Sequence, residues 1–156
     1  MTSLRPACSA DFDACIAVFQ GAVAQLTDTH YDTAQRRAWA PPTPDRAAWH
    51  ARLASLQLWL VERDQQVLGF IGYELSGHID LLYCAPQAAR QGVATRLYRH
   101  AEQLLSQAGV RRVRTEASLV AVPFFVRHGF ALRARQLVQR DGVGLLRCDM
   151  DKVLAE

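Results

Sequence analysis

The stretch Ala89-Arg90-Gln91-Gly92-Val93-Ala94 lies between a predicted strand that ends near Cys84 and an amphipathic helix predicted from about Thr95 to Ala108. Gly92 allows the backbone to turn and to approach a ligand closely, and the first helical turn leaves amides that have no partner within the helix. These amides lie at the positive end of the helix dipole. The stretch therefore predicts an anion site, although many strand-to-helix turns contain glycine and bind nothing.

The helix after Gly92 carries an apolar stripe, which indicates the side that packs on a sheet, and Gly109 is placed to end the helix. Arg90, Arg96 and Arg99 lie close to its first turns, where they can add charge-assisted contacts to a phosphate. The residues of the stripe are Leu97, Ala101, Leu104, Leu105 and Ala108.

A second motif follows in the run Pro123-Phe124-Phe125-Val126-Arg127-His128-Gly129-Phe130, which predicts a short aromatic helix and a glycine stop before another strand. Together the two segments resemble the GNAT superfamily of acyl-coenzyme A dependent N-acetyltransferases. The family has a phosphate motif, Gln/Arg-x-x-Gly-x-Gly/Ala, and a later motif, Phe-Tyr-x-x-x-Gly-Phe. The residues that match these motifs are Gly92, Ala94, Phe124, Gly129 and Phe130.

The sequence departs from the family pattern at two positions. Ala89 stands where the family usually has Gln or Arg, but the backbone amides from Ala89 to Thr95 can still bind a pyrophosphate. Phe125 stands where many members have a tyrosine that protonates the departing coenzyme A thiolate, and phenylalanine has no proton to give. The resemblance extends from about Gln57 to Lys152.

An earlier segment, Tyr31 to Pro41, is similar to a GNAT subgroup with Tyr-x-x-x-Gln-x-x-Ala-Trp near its acceptor site. This similarity implies that Tyr31 and Trp39 bind the acceptor, with packing between helices as the alternative. Packing is the simpler role for Trp49, and Trp59 lies inside an apolar strand that we expect in the core. The matching residues are Tyr31, Gln35, Ala38 and Trp39.

The resemblance implies an α/β fold with a mixed, mostly antiparallel sheet, helices on both faces and a splay between the fourth and fifth strands. The pantetheine arm of acetyl-coenzyme A lies in that gap, where backbone groups of Leu82 and Cys84 pair with its amides as another strand would. A register error of one residue would exchange the faces of the fourth strand. The residues implied to bind this co-substrate are Leu82, Tyr83, Cys84, Arg90, Gln91, Gly92, Val93, Ala94, Thr95 and Phe125.

Acetyl transfer to an amine needs a base, because a primary amine with a pKa of about 10 is mostly protonated at neutral pH. Alternation puts Asp80 on the same strand face as His78, and Glu116 lies near the end of the next strand. Asp80 and Glu116 could therefore converge on the acceptor amine, with Glu74 and His78 as further candidates. Alternatively, these carboxylates are solvated or only attract the positive charge of the substrate.

The proton donor for the departing thiolate must be another group, because Phe125 has no proton to donate. Ser118 lies just before the short helix, where it could donate its hydroxyl proton or cap the helix. Tyr83 and Tyr98 are alternatives, and a coenzyme A thiolate could also take a proton from water. Cys84 as a nucleophile that carries the acyl group is a further hypothesis.

Composition limits the class of protein. A chain of 156 residues with 50% apolar content can bury a full core, and a net charge of +3 argues against a dedicated nucleic-acid binder. Arg111, Arg112 and Arg114 could face the 3′-phosphate of coenzyme A or lie on a solvated strand edge.

The four cysteines lack metal-ligand spacing, so we expect buried free thiols, no metal and a cytoplasmic location. A homodimer is possible, and no segment is typical of a membrane span.

Hydrophobic periodicity and turn residues predict alternating helices and strands. The other predicted helices are Asp11 to Leu26, Thr33 to Trp39, Asp45 to Leu56 and Val122 to His128. The predicted strands are Ser3 to Cys8, Leu58 to Arg63, Val67 to Leu75, His78 to Cys84, Val113 to Ala117, Gln136 to Arg140 and Val143 to Met150. Asp141-Gly142 favours a hairpin between the last two. No repeat or linker interrupts this order, so residues 1–156 are predicted to form one domain.

Three hypotheses about function follow. The first is an N-acetyltransferase that uses acetyl-coenzyme A and a small-molecule or peptide amine in a direct ternary complex. The second is a noncatalytic acyl-coenzyme A binding module, which the missing tyrosine makes plausible. The third is an acetyltransferase that acts on charged tRNA, for which salt-sensitive RNA binding would be the sign.

Overall fold

The computed structural model describes residues 1–27 and 29–154, which form five α-helices and seven strands. The helices are α1 Phe12–Leu26, α2 Thr33–Trp39, α3 Arg46–Ala54, α4 Val93–Gln107 and α5 Val122–Arg127. The strands are β1 Ser3–Pro6, β2 Gln57–Arg63, β3 Gln66–Tyr73, β4 His78–Cys84, β5 Arg112–Ser118, β6 Ala131–Arg140 and β7 Val143–Val153. Short 3-10 turns cover Ser9–Asp11 and Pro86–Ala88.

The strands form one sheet in the order β1-β2-β3-β4-β5-β7-β6. Neighbouring strands are antiparallel except β4 and β5, which are parallel and pair only through His78 with Arg114 and Ile79 with Thr115. Beyond these two pairs the strands separate. The mixed, mostly antiparallel sheet and its splay between the fourth and fifth strands are therefore confirmed.

Helices cover both faces of the sheet, as predicted, because the strands present apolar side chains in both directions. Phe70 packs in the core beneath α1 and α3, whereas the adjacent Ile71 packs in the core beneath α4 and α5. The stripe of α4 is only partly as predicted, since Ala108 is exposed and Tyr98 is fully buried instead. Val93 is also buried, and α4 begins there, two residues before the predicted start.

The vertex of the splay depends on a tight turn before β4. Gly77 has a φ of +103°, and its carbonyl accepts a hydrogen bond from the Arg114 amide at 2.9 Å. A Cβ at this position would collide with the backbone carbonyl of Arg112, so the close approach of the two chain segments requires glycine. This contact holds the starts of β4 and β5 together below the point where they diverge.

Two expectations from the sequence are wrong. Strand β6 begins at Ala131, five residues before the predicted Gln136. The predicted strand is too short because the first half of β6 is exposed on both faces and shows no apolar alternation. Cys8 is exposed rather than buried, whereas Cys15 and Cys148 are buried and all four cysteines are free thiols.

Within the described residues, no helix has the length and hydropathy needed to cross a membrane.

Candidate active site

The gap between β4 and β5 contains a cavity of about 130 Å³. Its walls come from the two splayed strands, from α5, from the segment around α2 and from the β6–β7 hairpin. The residues predicted from the sequence that line it are Tyr31, Trp39, Asp80, Leu82, Tyr83, Glu116, Ser118 and Phe125. Cys84 and the turn at residues 90–95 lie outside this lining. The catalytic and acceptor-binding candidates therefore meet in one cavity.

Glu116 lies at the vertex of the splay and is hydrogen-bonded to His78. The Nε2 atom of His78 lies 2.8 Å from Oε1 of Glu116, and its Nδ1 atom lies 2.8 Å from Oε1 of Glu74. Side-chain exposure is 30% for Glu116, 14% for His78 and 49% for Glu74, so the cluster runs from the cavity to the surface. The hydrogen bond from His78 lowers the pKa of Glu116, which keeps this carboxylate ionised near neutral pH.

The imidazole of His78 faces a carboxylate oxygen with each nitrogen, and only the protonated ring can donate to both. The hydrogen bond to Glu116 accordingly raises the pKa of His78 above its usual value of 6.5, against the opposing effect of burial. The folded protein therefore binds this proton more tightly than the unfolded chain does. The resulting stabilisation is fully present below the unfolded pKa and is lost as the pH rises through the folded pKa.

Replacing His78 by Gln should remove this pH-dependent stabilisation. We expect the free energy of unfolding of the wild-type protein to exceed that of His78→Gln by more at about pH 6 than at about pH 9. Urea unfolding followed by circular dichroism at both pH values measures the difference. His30→Gln, at an exposed histidine before α2, is the control. An equal difference at both pH values would contradict the charged state inferred for His78.

Asp80 forms an ion pair with Arg52, which also lines the cavity. Its two carboxylate oxygens accept hydrogen bonds from Nε and Nη2 of Arg52 on α3, at 2.8 and 2.9 Å. Arg52 in turn lies over the ring of Trp49, which packs on Phe19 in the α1–α3 core. Asp80 and Glu116 thus share the cavity, but only Glu116 keeps one oxygen, Oε2, without a hydrogen bond within the described residues.

Tyr31 connects three separate parts of the chain at the back of the cavity. Its hydroxyl donates to the Leu146 carbonyl at 2.7 Å and accepts from the Leu119 amide at 2.9 Å. Trp39 packs edge-on against its ring, with centroids 5.2 Å apart. The side chain of Gln35 donates to the Gly144 carbonyl at 3.1 Å. The motif that begins at Tyr31 therefore fixes α2 against β7.

The candidate proton donors differ in their surroundings. The Ser118 oxygen accepts a hydrogen bond from the Ala121 amide at 3.2 Å, which leaves its own hydroxyl proton available to the cavity. Tyr98 is buried outside the cavity lining, where Phe125 packs against it. Tyr83 lines the cavity, and burial raises its pKa to about 12.

The turn before α4 has the backbone geometry of an anion site. Arg90 and Gly92 have left-handed φ values of 65° and 79°, and the space in front of Gly92 is open. No backbone carbonyl of the described residues accepts a hydrogen bond from the amides at positions 92–95. The amide of Ala94 faces the Cys84 sulfur, so three amide donors, at positions 92, 93 and 95, lie at the positive end of a 15-residue helix with no partner in the described residues and can bind a phosphate.

The arginines expected near phosphates have different environments. Arg90 is exposed beside the turn, whereas Nη1 of Arg96 donates to the Thr2 hydroxyl at 2.9 Å. Arg112 forms an ion pair with Asp151, which also binds Arg133. The Arg112 side chain remains 63% exposed in this ion pair, which is compatible with a solvated position on the strand.

Among the cavity residues that were not predicted from the sequence, three carry a charge, namely Arg52, Arg140 and Arg147. The hairpin predicted at Asp141-Gly142 could have indicated Arg140 and Arg147, because these residues lie on its two strands and cross-strand partners in a hairpin share a face. Arg52 lies on a helix far from the cavity residues in sequence. Nothing in the local pattern indicates its contact with Asp80.

Comparison with known proteins agrees with this geometry. The family model of the acetyltransferase (GNAT) domain matches residues 26–154. The chain is 34% identical over 132 residues to YafP, an uncharacterised N-acetyltransferase of Escherichia coli K12, a match that covers 85% of this chain and 83% of YafP. It superimposes on a GCN5-related N-acetyltransferase from Rhodopseudomonas palustris with a TM-score of 0.94 and 30% identity, over 99% and 96% of the two chains.

A more distant neighbour is PaiA N-acetyltransferase from Thermoplasma acidophilum, solved in complex with coenzyme A. Its TM-score is 0.78 at 15% identity, over 99% of both chains, and it shares the fold. The family match and the YafP identity show that this chain belongs to the GNAT superfamily. It is an N-acetyltransferase enzyme.

Proposed function

We propose that this enzyme transfers an acetyl group from acetyl-coenzyme A to a primary amine of a small molecule or peptide, by direct attack in a ternary complex. The observation that carries the proposal is the cavity at the splay, which Glu116 and Ser118 line together with residues of the β6–β7 hairpin. Residues 1–156 act as one domain in this proposal.

The residues of the chain fit acetyl-coenzyme A. The free amides at positions 92, 93 and 95 suit a pyrophosphate, and the open space before Gly92 admits one. Strand β4 has lost its β5 partner beyond Ile79, so backbone groups of Leu82 and Cys84 can pair with the amides of a pantetheine arm. Phe125 lines the cavity, where its ring can contact the thioester end. PaiA, of the same fold, binds coenzyme A.

Glu116 is the proposed general base. Its free Oε2 atom can accept a proton from the acceptor ammonium, directly or through one water molecule. The lowered pKa of Glu116 means that the carboxyl group does not retain this proton at neutral pH and releases it to solvent. Asp80 is less suited to the role, because both of its oxygens are bound by Arg52.

Ser118 is the proposed donor to the departing sulfur. Its oxygen is held by the Ala121 amide, so the hydroxyl proton can rotate toward the cavity. A coenzyme A thiolate needs little assistance, because thiols have pKa values of about 8.5 and leave readily. A hydrogen bond from Ser118 can therefore stabilise the thiolate in place of the tyrosine that is absent at position 125, and the proton that the thiolate takes up comes from water.

Direct attack is favoured over an acyl-enzyme because of the environment of Cys84. Burial raises the pKa of its thiol to about 11, which disfavours the thiolate nucleophile. Initial rates with both substrates varied should give intersecting double-reciprocal lines, and Cys84→Ala should retain activity. Parallel lines together with an inactive Cys84→Ala variant would show transfer through Cys84 instead. Nothing in the described residues favours the noncatalytic module or charged tRNA.

A further inference from the structure

The β6–β7 hairpin presents one row of side chains to the cavity. In the hairpin register Val138 pairs with Leu145, Gln136 pairs with Arg147 and Arg140 lies one step before the turn, opposite Val143. Cross-strand partners share a face of the sheet. Two apolar side chains therefore lie between two guanidinium groups, and the row that lines the cavity consists of Val138, Arg140, Leu145 and Arg147.

The ionised groups of the cavity leave positive charge without a partner. Arg52 is neutralised by Asp80, and Glu116 shares the single positive charge of His78 with Glu74, which lies outside the cavity. Arg140 and Arg147 form no ion pair with any carboxylate in the described part of the chain. The cavity is therefore suited to an acceptor that brings a negative charge in addition to its amine.

Arg147 is the better positioned of these two guanidinium groups. Its Nε atom donates to the Gln136 side-chain oxygen at 3.2 Å, and the Gln136 amide nitrogen donates to Asp149 at 2.8 Å. This chain of hydrogen bonds fixes the plane of the guanidinium. The Nη1 and Nη2 atoms have no hydrogen-bond partner among the described residues, so they can bind both oxygens of one carboxylate.

Arg147 also lies at a suitable distance from the proposed base. Glu116 pairs with Asp149 and Ser118 pairs with Arg147, so Glu116 and Arg147 are diagonal neighbours on one face. Such neighbours lie about 7 to 8 Å apart, and their Cβ atoms are somewhat closer. An amine beside Glu116 and a carboxylate beside Arg147 are then separated by the length of a very short linker.

We propose that the acceptor is an amino carboxylate, with its amine beside Glu116 and its carboxylate bound by Nη1 and Nη2 of Arg147. Val138, Leu145 and Trp39 then contact the apolar side chain of the acceptor. This inference rests on the proposed acetyl transfer. It adds the class of substrate and a specificity residue that does not take part in the chemical step.

The test compares amines that differ only in the carboxylate. Leucine is paired with isoamylamine and phenylalanine with phenethylamine, and coenzyme A release from acetyl-coenzyme A is measured. We expect kcat/KM to be higher for each amino acid by about 10- to 100-fold, the effect of a charge-assisted hydrogen-bonded pair. Arg147→Gln should remove this preference mainly through KM for the amino acid, and leave the KM for acetyl-coenzyme A unchanged.

Two variants control for position. Arg135→Gln removes an exposed guanidinium of β6 that does not line the cavity, and it should retain the preference. If Arg140→Gln removes the preference and Arg147→Gln does not, the assignment to Arg147 is wrong. Equal rates for both members of each pair would overturn the inference while leaving acetyl transfer intact. Failure to acetylate any amine, with no binding of acetyl-coenzyme A, would instead refute the proposed function.

Discussion

Glu116→Gln should lower kcat by at least about 100-fold, within the range for loss of a general base. The substitution keeps the size of the side chain and a carbonyl oxygen facing His78, but it removes the group that accepts the amine proton. Because the amide cannot take up a proton, raising the pH should recover part of the rate by supplying neutral amine. Steady-state kinetics across the pH range, with the best acceptor found, measures both effects.

Glu74→Gln is the matched control for this prediction. It also removes a carboxylate hydrogen-bonded to His78, but Glu74 lies outside the cavity, so kcat should stay close to that of the wild-type enzyme. Asp80→Asn tests the second candidate. A large loss of kcat in Asp80→Asn with a normal rate in Glu116→Gln would transfer the role of base to Asp80 and refute our assignment.

Gly92→Glu should weaken coenzyme A binding by more than about 100-fold, because several charge-assisted hydrogen bonds are lost together. A glutamate here fills the open space in front of the turn, and its carboxylate can itself bind free amides of the first helical turn. The anion site would then be occupied by the protein's own side chain. Isothermal titration calorimetry with coenzyme A measures the affinity.

Gly109→Glu provides a closely matched control at the other end of the same helix. Gly109 also has a left-handed φ, of +85°, and open space where a Cβ would lie. Both substitutions add one negative charge and cost about 1 to 2 kcal/mol of backbone strain. Thermal unfolding should therefore be similar, while only Gly92→Glu loses coenzyme A. Normal affinity in a folded Gly92→Glu protein would refute the phosphate site.

The parts of the fold that were predictable are those with strong local patterns. The α4 helix, the hairpin at Asp141-Gly142 and strand β4 have clear periodicity or turn chemistry, and each lies within a few residues of its prediction. The sequence pattern does not predict the first half of strand β6, because this strand lies at the sheet edge with both faces exposed there. Burial therefore imposes no alternation on its first residues.

The two candidate carboxylates of the site could be predicted from the sequence, but the ion pair that distinguishes them could not. The family motifs and the alternation along β4 predict that Asp80 and Glu116 lie at the same gap, and both residues line the cavity. Arg52 on α3, which lies 28 positions away from Asp80 in the sequence, determines which of the two carboxylates keeps a free oxygen. Such long-range ion pairs leave no local signature, so the distinction between the two carboxylates requires the structure.

The two hydrogen bonds of Tyr31 have a consequence for how acceptor range can change in evolution or by design. One hydroxyl connects the segment before α2 to the ends of β5 and β7, so a substitution at Tyr31 alters cavity shape and stability together. Val138 and Arg140 lie on the hairpin near its turn, and neither side chain forms a hydrogen bond to the rest of the described chain. New acceptor specificities are therefore more accessible through substitutions in the hairpin than through substitutions at Tyr31.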